Sequence, residues 1–185
     1  MKIPDSKTDI IIDFDGTIVT LKINWIKWHH GVGELFRKFD HSFDLHLSNK
    51  RVDFFQNNYF TKYGRTLQSE VSLFNEKYEE ENVKGFDVHP KILELIQTSK
   101  SNLYIWSSNS GKTINKILER LQIKNRFRNI VSREKTFLLK PNPEGFNLIF
   151  DGTKKDKYVF IGDSSFDKEA AEQVKIDYID VTVLE

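Results

Sequence analysis

"IIIDFDGTIV", residues 10–19, decides the fold. Ile10, Ile11 and Ile12 form an unbroken apolar run, which suits a strand covered on both faces. The run ends in two carboxylates, Asp13 and Asp15, with only Phe14 between them; Gly16-Thr17 then leads back to apolar Ile18. Strands buried on both faces belong to parallel sheets wrapped by helices. Such sheets bind ligands beyond the carboxyl ends of their strands.

The same alternation recurs further along. Short apolar runs at 103–106 ("LYIW"), 129–131 ("NIV"), 158–161 ("YVFI") and 178–181 ("YIDV") are separated by helical spacings. Those spacings are carried by Ile92, Leu93 and Ile96, by Ile114, Ile117 and Leu118, by Phe146, Ile149 and Phe150, and by Ala170 and Ala171. Strands alternating with helices predict an α/β, Rossmann-like, doubly wound parallel sheet. The first strand is separated from this series by residues 18–89, which read as all-helical, with helices over 24–39, 49–63 and 67–81. The expected organisation is a core of residues 1–17 and 90–185 with an α-helical cap, 18–89, inserted after the first strand. Hinges are expected near 18–22 and 82–89, with Gly85 as the pivot.

Composition narrows the function. Lys+Arg 28 against Asp+Glu 27 leaves a net charge of +1, which argues against a nucleic-acid or membrane-surface binder. The absence of Cys excludes disulfides, thiolate catalysis and Cys-ligated zinc. The start, "MKIPDSKTDI", has no signal-peptide apolar stretch, and no run approaches the roughly 18 apolar residues of a membrane span. A soluble cytoplasmic protein is expected.

The polar residues beyond the strands should converge on one edge: Asp13 and Asp15, then Ser107, Ser108 and Asn109, then Lys140 ahead of a Pro-x-Pro, then Asp163 with Asp167 a turn later. Several carboxylates together require a cation, and an all-oxygen set suits Mg²⁺. The serine hydroxyls, Lys140 and the N-terminus of the helix after Asn109 offer an anion site, with Lys112 close by. Metal, phosphate and an uncommitted carboxylate suggest phosphoryl transfer through an aspartyl phosphate.

Other motifs read as structural. "SNSGKT" (108–113) imitates a phosphate loop, but that motif needs a Gly at 106, where Trp106 stands. "GVG" (31–33) has no strand before it. His29-His30, His41 and His46 fit solvated connections, and "EKYEEEN" (76–82) a solvated helix end. Trp25 and Trp28 read as cap core, one of them reaching the pocket.

Four of these stretches carry a resemblance. "DFDGT" (13–17), "YIWSSN" (104–109), "KPNPEGF" (140–146) and "GDSSFDKEAA" (162–171) resemble, in order, the four motifs of the haloacid dehalogenase superfamily, in its phosphatase branch with an inserted helical cap, phosphoglycolate-phosphatase-like in style. The resemblance implies a Mg²⁺-dependent phosphatase acting on a small phosphorylated metabolite, such as a sugar phosphate or a phosphoglycolate-like ester; a sugar phosphomutase is the alternative. It implies Asp13 as nucleophile and Asp15 as general acid/base. Asp13, the backbone carbonyl of Asp15, and Asp163 would hold the metal. Ser107 (with Ser108 as the alternative), Asn109 and Lys140 would hold phosphoryl oxygens. Gly16, Thr17 and Asp167 would support the loop, the lysine or the metal. One carboxylate attacks while the other carries a proton, so their pKa values are expected to be pushed apart.

Overall fold

The computed structural model describes residues 3–4, 6–46 and 51–184. Its five-stranded sheet is parallel throughout. The strands are β1 (Asp9–Ile12), β4 (Asn102–Trp106), β5 (Phe127–Val131), β6 (Tyr158–Gly162) and β7 (Asp177–Asp180), in the order β5-β4-β1-β6-β7. The chain winds outward from β1 through β4 to β5, then crosses back to β6 and β7. The direction of winding therefore reverses beside β1, where open sheets of this kind place their ligand.

Alternation along the strands supplies two cores. Ile10 and Ile12, with Leu103, Ile105, Val159 and Ile161, face α3 (Pro90–Thr98) and α4 (Gly111–Arg120) through Ile92, Ile96, Ile114 and Leu118. Ile11, Tyr104, Trp106 and Phe160 face the other way, onto Phe146 of α5 (Glu144–Asn147) and Ala170, Ala171 and Val174 of α6 (Ser165–Val174). Every residue of β1 is buried, as the unbroken apolar run requires.

The cap is built from α1 (Trp25–Phe39), a 3₁₀ turn (Val52–Phe55) and α2 (Gln56–Asn82). Trp28, Val32 and Phe36 of α1 pack on Phe60, Leu67 and Val71 of α2. The segment 18–89 is not all-helical, however. Two three-residue strands, β2 (Val19–Leu21) and β3 (Phe86–Val88), pair antiparallel at its two ends, with Val19 opposite Val88 and Leu21 opposite Phe86. Strands this short carry too few residues for period-2 alternation to register in the sequence, and the pairing joins positions far apart in the chain. The bonds continue past the strands, Lys22 N donating to Gly85 O (2.8 Å) and Lys84 N to Lys22 O (2.9 Å), so the two expected hinge segments are bonded to each other. The helices expected at 49–63 and 67–81 correspond to the 3₁₀ turn Val52–Phe55 and two helical stretches of α2 that meet at a kink at Gly64, whose φ of 73° is open to glycine at little cost. Residues 49–50 of that expectation lie outside the described residues. No helix among the described residues is long and apolar enough to cross a membrane.

Candidate active site at the carboxyl edge of the sheet

Asp13 leaves β1 with its N–H donating to Ile161 O of β6 (2.9 Å), which fixes it at the junction of the two strands. The chain then folds into a tight loop, with Ile18 and Val19 N both donating to Phe14 O (3.0 and 3.1 Å) and Gly16 N to Val19 O (2.7 Å). Gly16 has φ 91°, and a Cβ there would lie 2.3 Å from Asp163 Oδ2; a side chain would push Asp163 out of the site. Thr17, fully buried, donates to Asp163 Oδ1 (3.3 Å). Asp15 accepts from Leu21 N (2.7 Å), so the second carboxylate is aimed by β2.

Lys140, 8% exposed, reaches into this junction. Its ammonium donates to Asp13 Oδ1 at 2.5 Å and to Asp167 Oδ1. The second oxygen of Asp167 accepts from Ser164 N (3.1 Å) and Ser164 Oγ (2.6 Å), closing a capping box at the start of α6. Both oxygens of Asp167 are thus committed. Asp167 orients Lys140, and Asp13 and Asp163 face the cavity.

The end of β4 differs from the sequence expectation. The N-terminus of α4, expected to receive an anion, is filled by the protein's own carboxylates: Ser110 N donates to Glu79 Oε2 (3.2 Å) and Gly111 N to Glu134 Oε1 (3.1 Å). Thr113 N is taken by Ser110 Oγ (3.2 Å). Orphan N–H groups at a helix start must find acceptors, and here residues remote in sequence supply them. Ser107 is buried, with its hydroxyl donating to Asn109 Oδ1 (3.0 Å) and accepting from Asn109 N (3.2 Å). Ser108, the alternative, lines the cavity together with Asn109 and Lys140. Lys112 is turned outward, paired with Glu80 (2.7 Å) and Glu76 (3.8 Å).

The cavity, about 190 Å³, lies between this edge and the cap. Trp25, Trp28, Asn75 and Glu79 close it from above, so both tryptophans reach the pocket. Glu79 corrects the reading of 76–82 as a solvated helix end: it is 1% exposed. It accepts from Asn75 Nδ2 (2.9 Å) and Asn109 Nδ2 (3.1 Å) besides Ser110 N. The sequence held one signal for this. Leu67, Val71, Asn75 and Glu79 stand four apart, so the buried apolar row of α2 runs directly into them. Arg133, also unanticipated, is 3% exposed and lines the cavity, donating through Nε to Ser108 O (2.8 Å) and through Nη1 to Gln56 Oε1 (2.8 Å). Burial lowers its pKa to about 10, against the pull of Glu79 and Glu134.

Burial pushes Asp13 well above its ordinary value, with Asp167 and Asp163 adding to the rise and Lys140 opposing it. Asp15 is pushed up to about 7, chiefly by burial, with Asp163 and Glu79 adding. Asp163 rises through desolvation and the Asp167 charge. Burial acts against the Lys140 ammonium too, but Asp13 and Asp167 hold its pKa above the ordinary value. The two catalytic candidates are therefore both raised by the protein alone. The acids repel one another, and oxygens of Asp13, Asp163 and Asp167 lie within 4.8 Å of one another. With Asp167 taken by Lys140 and Ser164, the oxygens of Asp13 and Asp163, both raised, fit a hard divalent cation, which would favour their charged forms.

The sequence profile of the family described as haloacid dehalogenase-like hydrolase matches residues 10–181. The chain belongs to this family. No curated protein matches the hydrolase at significant similarity. Among solved structures it resembles a haloacid dehalogenase-like hydrolase from Bacteroides fragilis (17% identity, TM-score 0.63, 92% of this chain and 85% of that one). It also resembles a predicted phosphoglycolate phosphatase from Haemophilus somnus (17%, 0.61, 95% and 85%). A third is a HAD-hydrolase from Bacillus subtilis bound to magnesium (19%, 0.54, 92% and 84%). At these identities the likeness is one of fold, and the hydrolase shares it over nearly its whole length.

Proposed function

We propose that the hydrolase is a Mg²⁺-dependent phosphatase that cleaves a small phosphomonoester through a phosphorylated Asp13. The observation that carries this reading is the pairing of unlike carboxylates at one strand end: Asp13, held by Lys140 at 2.5 Å, and Asp15, free of that lysine and pushed up to about 7. Near neutral pH, Asp15 is divided between its acid and base forms, the balance that a proton carrier needs in both directions.

Asp13 attacks phosphorus and the ester P–O bond breaks, with Asp15 giving its proton to the leaving oxygen. Water then attacks phospho-Asp13, Asp15 takes back a proton, and inorganic phosphate and free Asp13 are restored. Lys140, kept charged by two carboxylates, and Ser108 would face the phosphoryl oxygens, with Asn109 beside them tied to Ser107 and Glu79. Asp13, Asp163 and the Asp15 carbonyl would hold Mg²⁺, which when bound neutralises charge on the transferring group. A cavity of about 190 Å³, closed by two tryptophans, suits a small leaving group, in keeping with the name of the Haemophilus somnus relative.

The test is leaving-group dependence. With a sugar phosphate or phosphoglycolate, Asp15→Asn should slow the first step by about 10²–10⁴-fold, the usual value of general acid help. With para-nitrophenyl phosphate, whose leaving group needs no proton, the first step should slow far less and phospho-Asp13 should accumulate. Rapid-quench measurement of the first turnover separates the steps. Equal losses on both substrates without a burst would remove Asp15 from the role of leaving-group acid.

A further inference from the structure

Lys140 belongs to the core by sequence, but the segment that delivers it is seated in the cap. Leu139, the residue before it, is 6% exposed and lies in the cap's own apolar cluster with Trp28, Phe60, Leu67 and Val71. Its peptide is clamped by a cap side chain: Asn57 of α2 donates through Nδ2 to Leu139 O (2.7 Å) and accepts at Oδ1 from Leu139 N (2.8 Å). A primary amide paired in this way fixes the position of a peptide along two vectors. From the core side, Glu144 accepts from Phe137 N (2.8 Å) and Leu138 N (2.9 Å), so the segment is held in both halves at once. One residue beyond the clamp, the Lys140 ammonium contacts Asp13 and Asp167.

We propose that Asn57 is a positioning residue for the reaction: the cap, through the Leu139 peptide, sets where Lys140 stands against Asp13. This deepens the phosphatase reading and rests on it. Asn57 touches no reacting atom; it acts through the Leu139 peptide, which lines the cavity and carries Lys140. The seated cap therefore places a catalytic cation as well as covering the site. A displacement of about 1 Å in such a group can cost on the order of 10²-fold in rate.

A double-mutant cycle tests it. Asn57→Ala should lower kcat for para-nitrophenyl phosphate by about tenfold or more with little change in KM. In the Lys140→Ala background the same substitution should cost less than about twofold, because its main route is gone. Calorimetry of inorganic phosphate binding in Mg²⁺ on the same four proteins should give the same pattern without turnover. Asn57→Asp, which keeps size and the acceptor for Leu139 N but sets a carboxylate against Leu139 O, should fall in the same direction and serves if the alanine variant unfolds. A wild type that hydrolyses no phosphomonoester would overturn the phosphatase reading, and the binding cycle would still judge the clamp. Equal losses in both backgrounds, or no loss in the single variants, would overturn the proposal.

Discussion

Two buried acids on opposite sides of the cavity are treated in opposite ways. Glu79, on the cap, meets donors from Asn75, Asn109 and Ser110, a set that consumes its charge in holding cap to core. Asp13, on the core, receives one strong contact, from Lys140, and turns toward the cavity beside Asp163. Both are pushed above their ordinary values by burial. The shift alone therefore does not mark function. What separates them is donor supply: a buried carboxylate with its acceptors filled is a structural tie, and one left short is set for a ligand.

The largest effect should come from removing the under-supplied acid. Asp13→Asn should cut kcat by more than about 10⁴-fold, the scale seen when a nucleophile is deleted. Its melting temperature should hold or rise, because the amide keeps an acceptor for Lys140 and ends the repulsion with Asp163 and Asp167. Steady-state kinetics and thermal melts of the same preparation check this. Appreciable residual turnover would break the assignment.

Lys140→Ala should rank second in rate and first in stability. Loss of the cation leaves Asp13 and Asp167 facing each other, and breaking a buried pair costs about 3–5 kcal/mol. Turnover should fall by about 10²–10³-fold, as when one oxyanion donor is removed. A normal melting temperature would mean that the two acids rearrange or take up protons at no cost.

Glu79→Ala is the mirror experiment. It strips acceptors from buried N–H groups at the start of α4, at about 1–3 kcal/mol, or roughly 5 °C in melting temperature for a chain of this size. Turnover at low temperature should change far less than in Lys140→Ala. A large kinetic loss with unchanged melting temperature would reverse the contrast and bring Glu79 into the chemistry.

The two sides also differ in how far they could be read from sequence. The core edge was legible because its chemistry is local: Asp13, Asp15, Lys140, Asp163 and Asp167 each follow a strand or open a helix within a few residues, and parallel winding brings such ends together. The sheet was legible for the same reason, since each apolar run marks its own strand. The cap side was not. Glu79 lies in a charged run, and only its place in the row Leu67–Val71–Asn75 shows that it turns inward. Glu134 filling α4, Arg133 meeting Gln56 and Asn57 clamping Leu139 join residues between 23 and 82 positions apart, and no local periodicity encodes such pairs. The family resemblance favours Ser107 over Ser108; the Ser107 hydroxyl is bonded to Asn109 and Ser108 lines the cavity, and such a choice is a matter of rotamer and not of order in the chain.

The smallest effect, and the one that isolates the cation-facing acids, is the pH dependence of stability. Asp15 titrates at 3.8 ordinarily and at about 7 in the folded chain, so the folded state binds its proton more tightly than the unfolded one. Its contribution is fully present below the unfolded value and is lost as pH rises through about 7. Asp13 and Asp163 shift in the same direction. In excess chelator, the melting temperature should therefore decline between about pH 5 and about pH 8. Mg²⁺ held as proposed would bind the ionised acids of the folded state, so its stabilising shift should be larger at the upper pH than at the lower. Glu79 is raised as well, but its oxygens are already filled, so Glu79→Ala should keep the Mg²⁺ response while lowering the whole curve. Asp163→Asn should lose that response and keep a higher melting temperature in chelator. A Mg²⁺ shift equal at both pH values, or one that survives Asp163→Asn, would show that the cation is held somewhere other than the end of β1 and β6.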